Sequence, residues 1–247
     1  MSITSEITRL QTAKSDLATA IANKGVTVPA NATLDDYAAL VDSIQAGGGG
    51  GETLPYDAEV EYLQSDGSQY IDTDIVLTKN YIIILDCAVI SGSLFPTVLG
   101  ALSENDQFSI PLALNNRGNP YTQVGGSSSY ATLYSTNKFG STIVHYIFRG
   151  DGSKQYISDG YKTVSTSFSG SLSTLSMYLF ARHRHDTTVG NSATAKIGKV
   201  RMTVGGVLVR DFIPVRVGQV GYMYDKVSKQ LFGNSGTGSF TLGSDVS

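Results

Sequence analysis

The stretch EYLQSDGSQYIDTDI, residues 61–75, decides the fold of the larger part of the chain. At its centre lies Ser65-Asp66-Gly67-Ser68, a run of residues that favours a turn. Short polar side chains bond the nearby backbone there, and glycine accepts positive φ angles. The run therefore predicts a turn between two early strands. In the second strand, alternation places Tyr70 and Asp72 on one face and Gln69 and Ile71 on the other.

Short β-branched and aromatic runs, separated by Gly, Ser and Asn turns, continue from this stretch toward the C-terminus. They predict strands at 81–90, 142–149, 154–158, 161–165, 175–181 and 200–204. The run 81–90 is continuously apolar, which predicts a strand covered on both faces. Asp159-Gly160 and Gly205-Gly206 each predict a tight hairpin. The pattern predicts a mainly β fold, an antiparallel jelly roll or β-sandwich spanning residues 52–247.

Composition changes sharply at the five consecutive glycines 47–51. Thirteen of the 14 tyrosines follow this run, and a single tyrosine precedes it. Five glycines cannot pack a core and lose much backbone entropy when they are ordered. They predict a linker between an N-terminal module, residues 1–46, and the β domain.

The N-terminal module begins with apolar residues at alternating spacings of four and three. They form a heptad seam of Ile3, Ile7, Leu10, Lys14, Leu17 and Ile21. The same stripe would suit a lone helix that packs on its own domain. The narrow seam and a module too small for a good core favour self-association. Isoleucine at both seam positions favours three or more strands, so we expect a homo-oligomer, a trimer.

A second, shorter helix is predicted after a loop. Gly25 would end the first helix. Thr33 and Asp36 resemble a capping box, with Asp in the usual place of Glu. The apolar stripe of the second helix would consist of Leu34, Tyr37, Ala38, Val41 and Ile44. Together the two helices predict an α-helical hairpin.

Composition excludes several classes of function. The 18 basic and 21 acidic residues give a net charge of −3, so no strong basic field points to nucleic acid. No apolar run approaches the roughly 20 residues that span a bilayer. Cys87 is the only cysteine, which rules out an intrachain disulfide and a thiolate metal cluster. We expect no cofactor, no targeting signal and no membrane insertion.

Both ends of the predicted β domain resemble one kind of known domain. The opening stretch carries Gly-x-Gln-Tyr-Ile-Asp-Thr, and residues 210–243 carry Phe-Ile-Pro, Met-Tyr-Asp and Asn-x-Gly-Thr-Gly-x-Phe. These motifs resemble the first and last strands of concanavalin A/laminin-G-like jelly rolls found in many phage and prophage proteins. Residues 7–44 resemble a helical module recurrent in phage tail and virion accessory proteins.

The resemblance implies a virion protein of the tail-fibre or receptor-binding type, assembled in the host cytoplasm. Its helical module, residues 1–46, would trimerise and dock on other virion proteins. Its lectin-like head would attach to a cell-surface glycan or protein. A capsid decoration or head-fibre protein with a mainly structural role is the alternative, and a glycan-cleaving enzyme is the third reading.

Candidate ligand-binding residues lie in polar segments that carry aromatic side chains. Sugar binding needs planar amide and guanidinium groups beside an aromatic face, and the chain has no tryptophan, so tyrosine must serve. The candidates are Asn115, Asn116, Arg117, Asn119, Tyr121, Tyr130, Arg182, His183, Arg184 and His185. The segments 115–121 and 125–130 are also suited to plain hairpin ends.

Two clusters suggest chemistry but lack a complete set of groups. Glu59 and Glu61 would share one strand face, as paired glycosidase acids require, but no third acid continues that face. His183 and His185 would share a face as metal ligands, but Asp186 would point away from them and two arginines disfavour a cation. We therefore predict neither a catalytic nor a metal site.

Overall fold

The computed structural model describes residues 3–24, 26–43, 54–92, 95–134, 140–186 and 189–246. Close backbone packing divides the chain into two compact units, Met1–Leu54 and Pro55–Ser247. The predicted glycine linker, residues 47–51, lies outside the described residues, as do Gly25 and Ile44.

The N-terminal unit contains α1 (Ile3–Ala22) and α2 (Asp36–Asp42). The Asp36 carboxylate accepts hydrogen bonds from the backbone N–H and the hydroxyl of Thr33, at 2.6 and 2.8 Å. In a capping box the acid bonds back to the residue three positions before it, and this half of the predicted box is present. Those bonds lower the pKa of Asp36.

The buried part of the helical unit is small. Ile21, Ala32 and Tyr37 form its core, with Leu40 packed partly against them. The predicted stripe of α2 is wrong in part, because Leu34 and Val41 are exposed. The side chain of the intervening Tyr37 turns toward α1, where its hydroxyl donates a 3.4 Å hydrogen bond to the carbonyl of Lys14.

The predicted heptad seam divides near its C-terminal end. Ile3, Ile7, Leu10 and Leu17 are exposed by 83, 51, 49 and 39%. Ile21, by contrast, is buried in the core of the hairpin. The N-terminal part of the seam is therefore uncovered by the described residues of its own chain, whereas its last apolar position already has an intrachain partner.

Nineteen strands are present among the described residues of the second unit. The first eleven are β1 (Ala58–Glu59), β2 (Leu63–Asp66), β3 (Ile71–Asp72), β4 (Asn80–Gly92), β5 (Thr97–Ser103), β6 (Gln107–Leu114), β7 (Pro120–Gly125), β8 (Tyr130–Thr132), β9 (Val144–Asp151), β10 (Lys154–Ser158) and β11 (Thr163–Ser167). The others are β12 (Tyr178–Leu179), β13 (Arg182–Arg184), β14 (Val189–Gly190), β15 (Ala193–Val204), β16 (Val207–Val217), β17 (Val220–Asp225), β18 (Gln230–Phe232) and β19 (Thr241–Leu242).

These strands form two sheets that make an antiparallel β-sandwich. The larger sheet has the order β11-β10-β9-β4-β15-β16-β17-β18; β1 pairs with β16, and β2 pairs with β15 and β19. The smaller sheet has the order β14-β13-β5-β6-β7-β8, and β12 pairs with β3 and β5. Among the described strands, only β13 and β5 run parallel. The predicted fold class, a mainly β sandwich of the jelly-roll kind, is confirmed.

The main core lies between the sheets. The larger sheet contributes Ile83, Leu85 and Phe148, and the smaller sheet contributes Leu99 and Leu112, all fully buried. Each side chain of this size that leaves water adds roughly 1.5–3 kcal/mol of hydrophobic stabilisation. A second, smaller apolar cluster of Ile110, Ala113, Tyr121 and Phe108 lies apart from this core, on the outer face of the smaller sheet.

Most predicted strands exist, but three details differ. The strand at 81–90 is covered on both faces only over 87–89; before that one face is open, because Ile82 is 43% exposed while its neighbour Ile83 is buried. The run 175–181 forms only the short β12, since Phe180 adopts a left-handed φ of 69° that ends the strand. The strand predicted at 161–165 begins two residues later, as β11, because the Asp159 carboxylate accepts bonds from Tyr161 and Lys162 and holds both in the turn.

The glycine-rich hairpin is confirmed. Val204 pairs directly with Val207, which leaves Gly205 and Gly206 as a two-residue loop. Both glycines have positive φ, 59° and 84°. This is the twist that a two-residue loop needs in order to join two right-twisted strands.

The stretch at 61–75 folds as predicted. Gly67 has a φ of +103°, and the Asp66 carboxylate accepts the backbone N–H of Ser68 at 2.9 Å. Gln69 and Ile71 are buried, whereas Tyr70 and Asp72 on the opposite face are half-buried. The turn carries the chain from β2 in the larger sheet to β3 in the smaller one.

This turn is bound to the C-terminal motif, and we call the two segments, residues 65–70 and 234–238, the clasp. The Ser235 N–H donates to the carbonyl of Tyr70 at 2.8 Å, and the Thr237 N–H donates to that of Ser68 at 3.1 Å. A Cβ on Gly236 would lie far inside contact distance of the Ser68 carbonyl. The motifs that open and close the domain therefore touch each other, which explains their joint presence.

Asn234 completes the clasp. Its side-chain oxygen accepts the N–H groups of Tyr70 and Gly236, at 3.2 and 2.8 Å. Its side-chain N–H groups donate to the carbonyls of Thr237 and Gly238. One asparagine thus satisfies two donors and two acceptors, as an amide can.

Asp225, the acid of the Met-Tyr-Asp motif, holds the turn between β17 and β18. Its fully buried carboxylate accepts the N–H groups of Asp211, Val227 and Ser228, as well as the Ser228 hydroxyl at 2.7 Å. Burial raises the pKa of Asp225, but these hydrogen bonds outweigh burial, and the pKa lies below its ordinary value. The role of this motif is therefore structural.

Candidate functional site

A cleft of about 460 Å³ lies on the outer face of the smaller sheet, beside β7 and β8. We call it the tyrosine cleft. Its described lining residues are Phe95, Asn115, Asn116, Arg117, Tyr121, Gln123, Ser127, Tyr130, Thr132 and Tyr134. Five of the ten predicted ligand-binding residues therefore meet in one place: Asn115, Asn116, Arg117, Tyr121 and Tyr130.

Two paired strands form the floor of the cleft. Tyr121 pairs with Thr132 and Gln123 pairs with Tyr130, so alternate residues of β7 and β8 face outward together. Gln123 also donates from its side-chain amide to the carbonyl of Ser127 at 2.9 Å. This bond ties the floor to the turn at the far end of the cleft.

The floor is held from behind by a buried glutamine of the opposite sheet. The side-chain oxygen of Gln155 accepts the Thr122 hydroxyl at 3.1 Å, and its amide donates to the carbonyl of Ser129 at 2.6 Å. Gln155 is fully buried, and Thr122 lies between the two floor residues Tyr121 and Gln123. Bonds of this kind inside a core fix strand positions because leaving them unmade is costly.

The turn between β6 and β7 forms one wall. The side-chain oxygen of Asn115 accepts the backbone N–H groups of Arg117 and Asn119, each at 3.0 Å. Gly118, with a φ of +75°, closes the turn. The turn presents Asn116 and Arg117 as exposed side chains, and within the described residues the Arg117 guanidinium makes neither a hydrogen bond nor an ion pair.

Aromatic rings supply the apolar surface. Tyr130 and Tyr134 are exposed by 57 and 67%, and Phe95 by 36%. The Phe95 ring meets the Tyr121 ring edge to face, with centroids 6.4 Å apart. Phe95 has a left-handed φ of 58°, which is unusual for a bulky residue. Its carbonyl accepts the side-chain amide of Asn191 at 3.1 Å, which helps to hold this conformation.

Tyr121 lies at the floor with only 8% of its surface exposed. Within the described residues its hydroxyl makes no hydrogen bond. Burial raises the pKa of Tyr121, and the nearby Arg182 guanidinium opposes that shift. A tyrosine hydroxyl in the lining of a cleft, without a protein partner, is a group that a ligand can bond.

The second predicted cluster, residues 182–185, is divided among three locations. Arg182 lies near Tyr121 and donates to the side-chain oxygen of Asn191 at 2.8 Å. Arg184 approaches Asp186 at 3.5 Å. His183 stacks on Tyr178, with centroids 4.1 Å apart, and its Nδ1 donates to the carbonyl of Ser176 at 2.9 Å.

His185 lines a separate cavity of about 340 Å³ with Ser103, Glu104 and Gln107. His183 is not among the described lining residues of that cavity. Among the described residues, no group of three His, Cys, Asp or Glu side chains could hold a metal ion.

Asn119 is among the predicted residues but does not line the cleft. It is 5% exposed, and its backbone bonds both ways with Asn115. Five lining residues were absent from the prediction: Phe95, Gln123, Ser127, Thr132 and Tyr134. Period-two spacing could have found Gln123, Thr132 and Tyr134, because they alternate with Tyr121 and Tyr130. No local pattern marks Phe95.

The paired acids Glu59 and Glu61 do not form one strand face. The first strand, β1, ends at Glu59, and the chain bends at Glu61 before β2 begins. Glu59 accepts a 3.4 Å hydrogen bond from the Tyr56 hydroxyl.

Among the described helices, none is long and apolar enough to cross a bilayer.

Comparison with known proteins gives a match at the level of structure. No family model matches the chain, and no curated protein matches it. A similar solved structure is that of a "putative carbohydrate binding protein" from Bacteroides ovatus, with a TM-score of 0.52 and 11% sequence identity. The match covers 74% of this chain and 60% of that one. The likeness supports the β-sandwich fold.

Proposed function

We propose that the β-sandwich is a carbohydrate-binding module that holds its ligand in the tyrosine cleft. The observation that carries the proposal is the meeting of exposed tyrosine rings with amide and guanidinium groups over one floor. Sugars stack their apolar faces on aromatic rings while their hydroxyls bond planar polar groups. The name of the Bacteroides ovatus neighbour agrees with this class of ligand.

The cleft favours binding over cleavage. Glycoside hydrolysis ordinarily needs a pair of carboxyl groups across the scissile bond. The described lining residues include no Asp or Glu. We therefore propose that the tyrosine cleft binds a glycan without cleaving it.

Binding to an array of bacterial and host glycans, with the full-length chain, tests the proposal. Tyr130→Ala and Tyr134→Ala should each lower affinity for the bound glycan by about tenfold, since stacking surface is lost. Tyr161→Ala is the matched control, because Tyr161 is 96% exposed but lies away from the cleft. Binding that survives both cleft substitutions, or no binding at all, would contradict the proposal.

We also propose that α1 assembles the chain with copies of itself. Four apolar side chains of its seam are exposed: Ile3, Ile7, Leu10 and Leu17. Among the described residues of this unit, three are buried in its core, which is very little for a stable monomer. Seam residues at heptad spacing are covered when parallel helices pack together. Ile3 and Ile7 place isoleucine at both seam positions at the start of α1, which favours a trimer.

Light scattering of the full-length protein tests the assembly. The wild type should have the mass of a trimer, and the double variant Ile7→Gln with Leu10→Gln should have that of a monomer. Val41→Gln is the control, since Val41 is exposed on α2 outside the seam. A monomeric wild type would exclude this role of α1.

An attachment protein of a virion is the biological role that we propose for this combination. A trimer carries three clefts, and linked weak sites gain effective concentration without new contacts. The resemblance of residues 7–44 and of the clasp motifs to phage proteins supports this role. Immunogold microscopy of particles would test this role. Label on the tail would support attachment, whereas label over the capsid would support the alternative, a capsid decoration protein.

A further inference from the structure

The electrostatic character of the tyrosine cleft differs from that of the chain. The chain carries a net charge of −3, but the described lining of the cleft has one arginine, Arg117, and no carboxylate. The other nine described lining residues are neutral. Local charge, rather than net charge, determines which ligands are attracted to a site.

A second arginine lies next to the floor. Arg182 is half-buried, and its Nε atom is buried without a hydrogen-bond partner among the described residues. Its described hydrogen bond goes to the neutral side-chain oxygen of Asn191 at 2.8 Å. Asn191 in turn donates to the carbonyl of Phe95, a residue of the cleft. This chain of bonds links the Arg182 guanidinium to the cleft wall.

Other partly buried arginines of the sandwich have acidic partners. Arg210 lies 3.7 Å from Asp225, and Arg216 forms a two-pronged pair with Asp245. Arg182 has no carboxylate within ion-pair distance among the described residues. Removing a cation from water without an anion is costly, so an unmatched guanidinium of this kind is suited to an external anion.

The neutral groups near the arginines are also short of acceptors. Within the described residues, the Tyr121 hydroxyl and the side-chain N–H groups of Asn115 donate no hydrogen bond. The Asn115 oxygen is already used by the two N–H groups of its turn. Asn115 and Tyr121 therefore offer unpaired donors in the same cleft as the Arg117 guanidinium, and a negatively charged group rich in acceptors complements all three.

We infer that the ligand of the tyrosine cleft is a negatively charged sugar, with its anionic group directed toward Arg117 and the Tyr121 hydroxyl. This inference rests on the proposed carbohydrate-binding function and narrows its ligand class. A sugar carboxylate matches the planar guanidinium fork, and a sugar sulfate presents the same charge and acceptor oxygens. Arg182 lies beside the floor and is linked to the cleft wall through Asn191 and Phe95.

The test compares acidic sugars with neutral partners of the same size. Calorimetry on the full-length protein would use an oligogalacturonate and its methyl ester, sialyllactose and its methyl ester, and a sulfated oligosaccharide with its desulfated form. The acidic member of at least one pair should bind about tenfold more tightly, the usual effect of a charge-assisted hydrogen bond. That preference should weaken in high salt, because Arg117 is exposed.

Variants of Arg117 locate the effect. Arg117 is exposed, so Arg117→Gln should leave stability unchanged. It should lower affinity for the acidic sugar about tenfold and affinity for its neutral partner by less than half as much, because only the acidic sugar loses a charge-assisted bond. Arg117→Lys should restore part of the loss, since it restores the charge but not the planar fork. Arg149→Gln is the control, because Arg149 lies over Tyr156 in the larger sheet.

The outcomes separate this inference from the proposal beneath it. Equal affinity for acidic and neutral partners, with both lowered by Tyr130→Ala, would overturn the acidic preference and leave carbohydrate binding in place. Absence of binding to every sugar would overturn both. Selective binding of sulfated over desulfated sugar alone would support the inference and identify sulfate as the charged group.

Discussion

The clasp and the tyrosine cleft are both built from Asn, Gly, Ser and Tyr, but their polar groups end in different states. In the clasp, the four hydrogen-bonding positions of Asn234 all meet backbone groups of the two segments. In the cleft, the Arg117 guanidinium and the Tyr121 hydroxyl have no partner among the described residues. Composition alone therefore does not separate a structural loop from a binding site.

The two loops differ in whether their polar groups have partners inside the chain. A polar group that is bonded internally stabilises the fold, and its loss leaves a partner unsatisfied. A polar group without an internal partner adds little to stability and is available to a ligand. Substitutions in the clasp should therefore change the free energy of unfolding, whereas substitutions in the cleft should change affinity.

Gly236→Ala should have the largest effect on stability. A Cβ at this position would collide with the backbone carbonyl of Ser68, which cannot move without breaking the clasp. We expect a loss of about 3 kcal/mol in the free energy of unfolding, at the upper end for overpacking. Urea denaturation followed by near-ultraviolet circular dichroism would measure it, since 13 of the 14 tyrosines lie after residue 51.

Gly126→Ala is the matched control, near the cleft. A Cβ there would meet only the carbonyl of Ser169, at an ordinary 3.8 Å. Its free energy of unfolding should stay within about 0.5 kcal/mol of the wild type. Similar losses in both glycine variants would show that the clasp is no more tightly packed than the cleft side.

Asn234→Ala should have the next largest effect. It removes the acceptor of the Tyr70 and Gly236 N–H groups, and we expect a loss of about 2 kcal/mol. Asn116→Ala in the cleft wall is the control and should be neutral, because Asn116 is exposed and makes no hydrogen bond within the described residues. The same urea experiment measures both, and equal values would remove the distinction between the two loops.

Much of the sandwich could be predicted from the sequence because its signals are local. The turn at Gly67 and the hairpin at Gly205-Gly206 depend on residues a few positions apart, where glycine chemistry decides the backbone. The one-sided burial of the first part of the strand at 81–90 could not be predicted. Ile82 looks as apolar as Ile83, and its exposure depends on the absence of a covering layer rather than on its own chemistry.

The cleft could be predicted in part, for a related reason. Asn115, Arg117 and Tyr121 stand in one hairpin, and Tyr130 lies on the next strand, so short-range pairing brings them together. Phe95 comes from a distant part of the chain, and Arg182 reaches the same face through the parallel pairing of β13 with β5. Such long-range contacts depend on the strand order, which the pattern of apolar residues does not encode.

Lowering the pH should reduce the free energy of unfolding through Asp225 and Asp66. Asp225 and, in the clasp itself, Asp66 have folded-state pKa values below the ordinary value, so both bind protons less readily folded than unfolded. Their stabilisation is fully present above about pH 4, the pKa of an unfolded aspartate, and is lost as pH falls through the folded-state values. Denaturation midpoints should therefore drop below pH 4, and less steeply in Asp225→Asn. The same pH dependence of the denaturation midpoint in this variant and the wild type would contradict the assignment of acid sensitivity to Asp225.

Tyr121→Phe should have the smallest effect on stability and a clear effect on binding. The hydroxyl has no partner among the described residues, so its removal leaves no protein group unsatisfied, and the ring still packs on Ile110 and Phe95. We expect the free energy of unfolding to change by less than about 0.5 kcal/mol. Affinity for the bound sugar should fall by roughly fivefold to tenfold, since the ligand loses one hydrogen-bond partner. Tyr56→Phe offers the converse case outside the cleft, because the Tyr56 hydroxyl bonds Glu59 within the chain; it should leave affinity unchanged. If Tyr121→Phe lowered stability and left affinity intact, this tyrosine would belong with the clasp, as a residue of the fold.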